Sequence, residues 1–367
     1  MSLPSARTAR FLRAYLRGGA GPFREEETHV EVGGERCEAT FYLPQRRGPV
    51  PGWVVLHGLT VPGRRHEAMI RFVRSLAASG AAVLVPDVPA WRALRLDVDA
   101  ARRTIAAGAR WLLARPEVQA GGVGAVGFSF GATHALMAAA DAGVQRDVRA
   151  VVSFGGYCDL RRMLRSLFTG EHEWAGEDFR LDPDPYGRWI IVGNYLTLVR
   201  GFEGMEAVQR GALELAVEAG NARTFAWEAE FDPLKARIRD RLSPAEREVW
   251  DVIAPPAGAP PRDLEAARAI ADAFAAAALE HDPGLDPRPH LPHVRTRVVL
   301  SHGRADRLIP FTETLRLRTL LPPSAVKSVT ITGLFAHSAH AGWLHPLDRV
   351  RESAQFIRLL NDALGAV

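Results

Sequence analysis

Short apolar runs recur along the chain at 53–56, 81–85, 122–126, 148–154, 297–300 and 326–332. They are too continuously apolar for strands with one solvated face, and they suit strands buried on both faces of a parallel sheet. Segments with helical periodicity separate them, at 67–79, 98–114 and 132–142, and another closes the chain at 348–363. This alternation predicts a doubly wound, mostly parallel α/β core. Only 28–32 and 36–43 alternate polar with apolar, on either side of Gly33-Gly34, and they predict an antiparallel hairpin.

Between Gly155 and about His293 the alternation stops and the pattern turns helical, at 186–199, 203–219, 233–241, 244–252 and 264–280. Ser243-Pro244-Ala245-Glu246 is a capping box with proline at the first helical position, a strong start signal. The proline-rich run 254–261 predicts a stiff connector between two of these helices. The expected organisation is a core from 1–156, a helical insertion from 157–292, and the rest of the core from 293–367.

The chemistry starts at Gly127-Phe128-Ser129-Phe130-Gly131, which follows one apolar run and precedes a helical one. Strand, G-x-S-x-G turn and helix together form a nucleophile elbow, a strained turn that tolerates only small neighbours two residues before and after the serine. In a chain with 33 glycines the pentapeptide alone is weak, and its flanks give it weight. A serine hydroxyl needs a base to take its proton and usually a carboxylate to orient that base. Asp306 follows the apolar run at 297–300, and His337 follows the one at 326–332 and the turn at Gly333. Both fall in loops at a strand's carboxyl end, where open α/β sheets place their chemistry.

In these residues the chain resembles the α/β-hydrolase family. His57-Gly58 is similar to the family's oxyanion loop and Ser129 to its nucleophile. The run from His302 through Asp306 to Pro310 resembles its acid loop, and 333–337 its histidine loop. The resemblance covers roughly 27–156 and 293–367, and it implies acyl transfer to Ser129 and hydrolysis with neither metal nor organic cofactor. It further implies oxyanion donors at the backbone N–H groups of Leu59 and Phe130, since Gly58 is not followed by further glycines. The insertion corresponds to the helical cap of many members, set over Ser129.

Alternatives remain for each role. His340 and His345 compete with His337, which comes first after the strand, and Asp159 competes with Asp306. His57 reads as a structural loop residue and His134 as a packed one. His290-x-x-His293 and His337-x-x-His340 lack the glutamate of zinc-protease motifs, so metal catalysis is not expected. In the insertion Trp174, Tyr186, Trp189 and Tyr195 are candidates for an apolar acyl or aryl pocket, and Glu171, Glu173, Glu228 and Glu230 read as solvated charges.

Composition narrows the classes. At 47% hydrophobic and 24% charged, the chain can bury a large core. A pI near 9.4 invites a nucleic-acid partner, but the basic residues are almost all arginine and are dispersed among 42 acidic ones, so none is expected. Two cysteines exclude a disulfide framework and fit a reducing cytoplasm. The arginine-bearing segment 1–16 lacks a secretory apolar stretch and predicts an amphipathic helix lying on the core, and no segment reaches the roughly 20 apolar residues of a membrane span. The expected partner is a small-molecule ester.

Overall fold

The computed structural model describes residues 3–222, 224–259, 263–334 and 346–367. In chain order the strands are β1 (Phe23–Val32), β2 (Glu35–Pro44), β3 (Gly52–Leu56), β4 (Ala82–Pro86), β5 (Val123–Phe128), β6 (Val148–Phe154), β7 (Glu171–Trp174), β8 (Glu177–Arg180), β9 (Arg297–Gly303) and β10 (Val326–Thr332). Eight of them form one sheet in the order β1-β2-β4-β3-β5-β6-β9-β10. β2 runs antiparallel to both its neighbours, and every other pairing is parallel. The chain leaves β3 for β4 on one side and returns to β5 on the other, so the order reverses between β3 and β5, and a crevice opens at their carboxyl ends. This is the α/β-hydrolase fold that the sequence resembles.

Alternate residues of the central strands face opposite sides, as the pleat requires. Val55, Val83, Val85 and Val126 pack under the helices Ala6–Leu16, Glu67–Ala78 and Pro346–Leu364, with Phe11, Val73, Leu76, Leu359 and Leu360. Val54, Leu56, Leu84, Ala125 and Val151 pack against Ala100–Leu113 and Phe130–Ala138 through Ile105, Leu112, Ala135 and Leu136. The amino-terminal helix is fastened to the core as its pattern predicts: Phe11 is buried, and the Arg7 guanidinium donates to the Leu364 carbonyl at 2.6 Å. Among the described residues no helix is long and apolar enough to cross a membrane. Cys37 and Cys158 are both buried and unbridged.

Between β6 and β9 the chain folds into helices Leu160–Thr169, Pro185–Tyr195, Glu206–Asn221, Asp232–Asp240, Pro244–Ile253 and Leu264–His281. The capping box is present: the Ser243 hydroxyl accepts the Glu246 N–H, and the Glu246 carboxylate accepts the Ser243 N–H at 2.9 Å. Sequence periodicity also supports the first helix, which was not among those expected. Its Leu160, Met163, Leu164, Leu167 and Phe168 recur at helical spacing and are all buried. The β7–β8 hairpin was not expected either, and its partly exposed acids are ion-paired at the surface. Glu171 pairs with Arg268 at 2.8 Å, and Glu173 with Arg162 and Arg316, each at 2.6 Å.

Candidate active site

Ser129 stands between the end of β5 and the helix Phe130–Ala138 with φ 56° and ψ −126°, a conformation that costs a non-glycine residue of order 1–3 kcal/mol. The surrounding structure imposes it. The Ser129 N–H donates to the Phe154 carbonyl of β6 at 2.8 Å, and its own carbonyl accepts the Ala132 N–H at 2.9 Å. Both elbow glycines are sterically required: a Cβ on Gly127 would overlap the Gly131 carbonyl, and one on Gly131 would overlap the His57 carbonyl. Phe130 opens the helix, so its N–H has no partner within the helix.

His57 ends the β3 run and is fully buried. The Val88 N–H donates to its Nε2 at 3.0 Å, which puts the ring hydrogen on Nδ1, and Nδ1 donates to the Gly58 carbonyl at 2.7 Å. Burial holds its pKa below the usual range, with Asp87 acting in the opposite direction. His57 is thus a neutral structural donor, and its bond has a geometric effect. The Gly58 carbonyl and Leu59 N–H belong to one planar amide and point in opposite directions, so anchoring the carbonyl on His57 turns the N–H away from it. Gly58 packs against Ser129, whose Cβ would lie 3.0 Å from a Cβ at that glycine. Asp87 braces the same loop: its carboxylate accepts the Arg64 N–H at 3.1 Å and pairs with the Arg64 and Arg92 guanidiniums.

Asp306 lies in the loop after β9 and is buried. Its Oδ1 accepts the Leu308 and Ile309 N–H groups at 2.9 and 3.1 Å, and Oδ2 lies 3.3 Å from His302 Nε2. His302, also buried, closes the loop: Nε2 donates to the Ile309 carbonyl at 2.8 Å and Nδ1 meets the Thr314 hydroxyl at 2.7 Å. This clamp was not anticipated, although His302 stands in the motif that located Asp306. The rival acid Asp159 is committed elsewhere, capping the helix Leu160–Thr169 and pairing with Arg288 at 3.0 Å. His337, with its rivals His340 and His345, lies outside the described residues. His134 is packed 4.1 Å from the Phe130 ring, and burial pushes its pKa down to about 3.

One further acid supports the neighbourhood. Glu313 is fully buried, and its carboxylate accepts the N–H groups of Cys158 and Asp159 at 2.9 and 2.7 Å, fixing the loop after β6. Burial outweighs those bonds and pushes its pKa up from 4.5 to about 7. A carboxyl group raised in the folded state stabilises fully below its unfolded pKa, and that contribution is lost as pH rises through the folded one. Glu313→Gln is therefore expected to flatten the decline in melting temperature between about pH 5 and pH 7. A slope identical to wild type would assign the proton to another group.

Ser129, Gly58, Leu59 and Phe130 share a cavity of about 880 Å³ with residues of the helical insertion, including Tyr186, Ile190, Ile191 and Phe225. The first turn of helix Pro185–Tyr195 ties two loops together. The Asp184 N–H donates to the Arg307 carbonyl beside Asp306 at 2.9 Å, and the Tyr186 hydroxyl donates to the Leu59 carbonyl at 3.2 Å. Of the four aromatic candidates for the pocket, Tyr186 alone is in the described cavity wall. Trp189 is wholly buried against Phe231, the Tyr195 hydroxyl donates to Asp282 at 2.6 Å, and Trp174 lies under the Arg316 guanidinium. Aromatic residues suit packing as well as binding, and sequence alone does not separate these uses. Among the described residues no three metal-ligating side chains cluster.

No family model and no curated protein matches the chain. Among solved structures it is similar to an acylaminoacyl peptidase in complex with Z-Gly-Gly-Phe-chloromethyl ketone, at 12% identity and TM-score 0.48, over 93% of this chain and 41% of that one. The chain therefore spans about two fifths of that peptidase's length. It is similar to an esterase of Pyrobaculum calidifontis at 16% identity and TM-score 0.47, over 99% and 94% of the two chains. A third similarity is to the 2,6-dihydroxy-pseudo-oxynicotine hydrolase, at 16% identity and TM-score 0.46, over 96% and 77%.

Proposed function

We propose that the protein is a serine hydrolase that cleaves carboxylic esters. The observation that carries the reading is Ser129 held at φ 56° on a strand-to-helix turn, facing a cavity at the point where strand order reverses. Ser129 attacks the ester carbonyl while His337 takes its proton; the acyl-enzyme forms as the alcohol leaves with that proton, and water then repeats the sequence to release the acid. Asp306 holds the imidazole. Its two backbone bonds keep the carboxylate in place. Leu59 and Phe130 supply the N–H donors for the tetrahedral oxyanion, a contribution of about 3 kcal/mol per donor in favourable cases. Residues 157–292 act as a cap over Ser129, a role supported by the residues they contribute to its cavity. The chemistry calls for no cofactor.

A fluorophosphonate probe followed by peptide mapping is expected to label Ser129. A parallel panel of nitrophenyl esters and aminoacyl anilides is expected to show turnover of the esters. An unlabelled Ser129 would point to a binding protein that keeps the fold without turnover, and faster hydrolysis of the anilides would make the protein a peptidase.

A further inference from the structure

We propose that Asp184 is a recognition site for an ammonium group, so that the preferred ester has an apolar body carrying one protonated amine. The inference rests on the assignment of the Ser129 cavity as an ester site and names the substrate class for it.

Asp184 belongs to the wall of that cavity and is 4% exposed. It caps the helix Pro185–Tyr195 through Oδ1, which accepts the Tyr186 N–H at 3.0 Å. Capping uses one oxygen and does not require burial: Asp263 caps its own helix in the same way from an exposed position. Among the described residues no hydrogen bond reaches Asp184 Oδ2. The two nearest cations bias the site without bonding to it. Arg188 donates to the Ile253 carbonyl at 2.9 Å, and Arg307 donates to the Asp182 carbonyl at 2.7 Å with its guanidinium over the Trp227 ring. The cavity wall also includes the apolar side chains of Leu167, Ile190, Ile191 and Leu308.

A carboxylate oxygen that faces a largely apolar cavity without a donor is poorly solvated, and a ligand that brings a charged donor solvates it better. An ammonium does so best, because it adds the attraction of an opposite charge to a hydrogen bond that the ionised carboxylate already strengthens. Burial pushes the Asp184 pKa up to about 6, with Asp306 acting in the same direction and the Tyr186 N–H, Arg307 and Arg188 opposing it. The site is therefore ionised at pH 8 and loses its charge as pH falls through about 6.

The test compares hexylamine with hexanol, as ligands by calorimetry and as inhibitors of nitrophenyl butyrate hydrolysis, at pH 8. In the wild type the amine is expected to bind roughly tenfold to a hundredfold more tightly. In Asp184→Asn and Asp184→Ser, both of which keep a capping oxygen, the preference is expected to vanish while hexanol still binds. Equal binding of amine and alcohol in the wild type, or an amine preference that survives both substitutions, would overturn the inference even if ester hydrolysis is robust. An amine preference that depends on Asp184 in a protein without hydrolytic activity would uphold the site and remove the esterase reading instead.

Discussion

Ser129→Ala is expected to lower ester turnover by about 10⁶-fold, the scale at which loss of a triad nucleophile is felt. The melting temperature should stay close to wild type, because the backbone at φ 56° is imposed by bonds to the Phe154 carbonyl and from the Ala132 N–H, neither of which uses the hydroxyl. Turnover within tenfold of wild type would exclude Ser129 as nucleophile. Ser129→Gly should be equally inactive and more stable than Ser129→Ala, since glycine adopts positive φ without penalty. A melting temperature no higher than that of the alanine variant would mean that the elbow holds no strain.

The second large effect concerns the base and its orienting acid. Asp306→Asn keeps an oxygen to accept the Leu308 and Ile309 N–H groups, so the loop should survive, while the rate should fall by about 10⁴-fold as the imidazole loses its tautomer. The acid limb of the rate profile should follow the titration of His337, which must be neutral to accept the proton. A carboxylate beside the imidazole favours the protonated form, so removing its charge should move that limb to lower pH. His337→Ala should cost about as much as losing the serine. Retained activity in His337→Ala with loss in His340→Ala would shift the base by three residues. Greater damage from Asp159→Asn than from Asp306→Asn would place the acid after β6.

Much of the core was legible because its strands are buried on both faces: continuous apolar runs such as 53–56 and 148–154 have few other uses. Ser243 and Glu246 marked a helix start for a local reason, the satisfaction of end N–H groups. The β7–β8 hairpin was hidden because its stability is not local. Glu171 and Glu173 find Arg268 and Arg316 across 97 and 143 residues of sequence, and charged residues in a short strand read as loop. The helix Leu160–Thr169 has its apolar spacing in plain view, at Leu160, Met163, Leu164, Leu167 and Phe168. The placement of Ser129 and Asp306 just after β5 and β9 was legible from motif spacing. The clamp from His302 to Ile309, and the bond from His57 that turns the Leu59 amide, depend on ring orientation, which spacing does not encode.

The first turn of the helix Pro185–Tyr195 is fastened to two loops at once, through Asp184 to the Arg307 carbonyl and through Tyr186 to the Leu59 carbonyl. One helical turn thus braces the loop of Asp306 and the loop of Leu59 together, so a substitution that loosens that turn is felt in both loops at once.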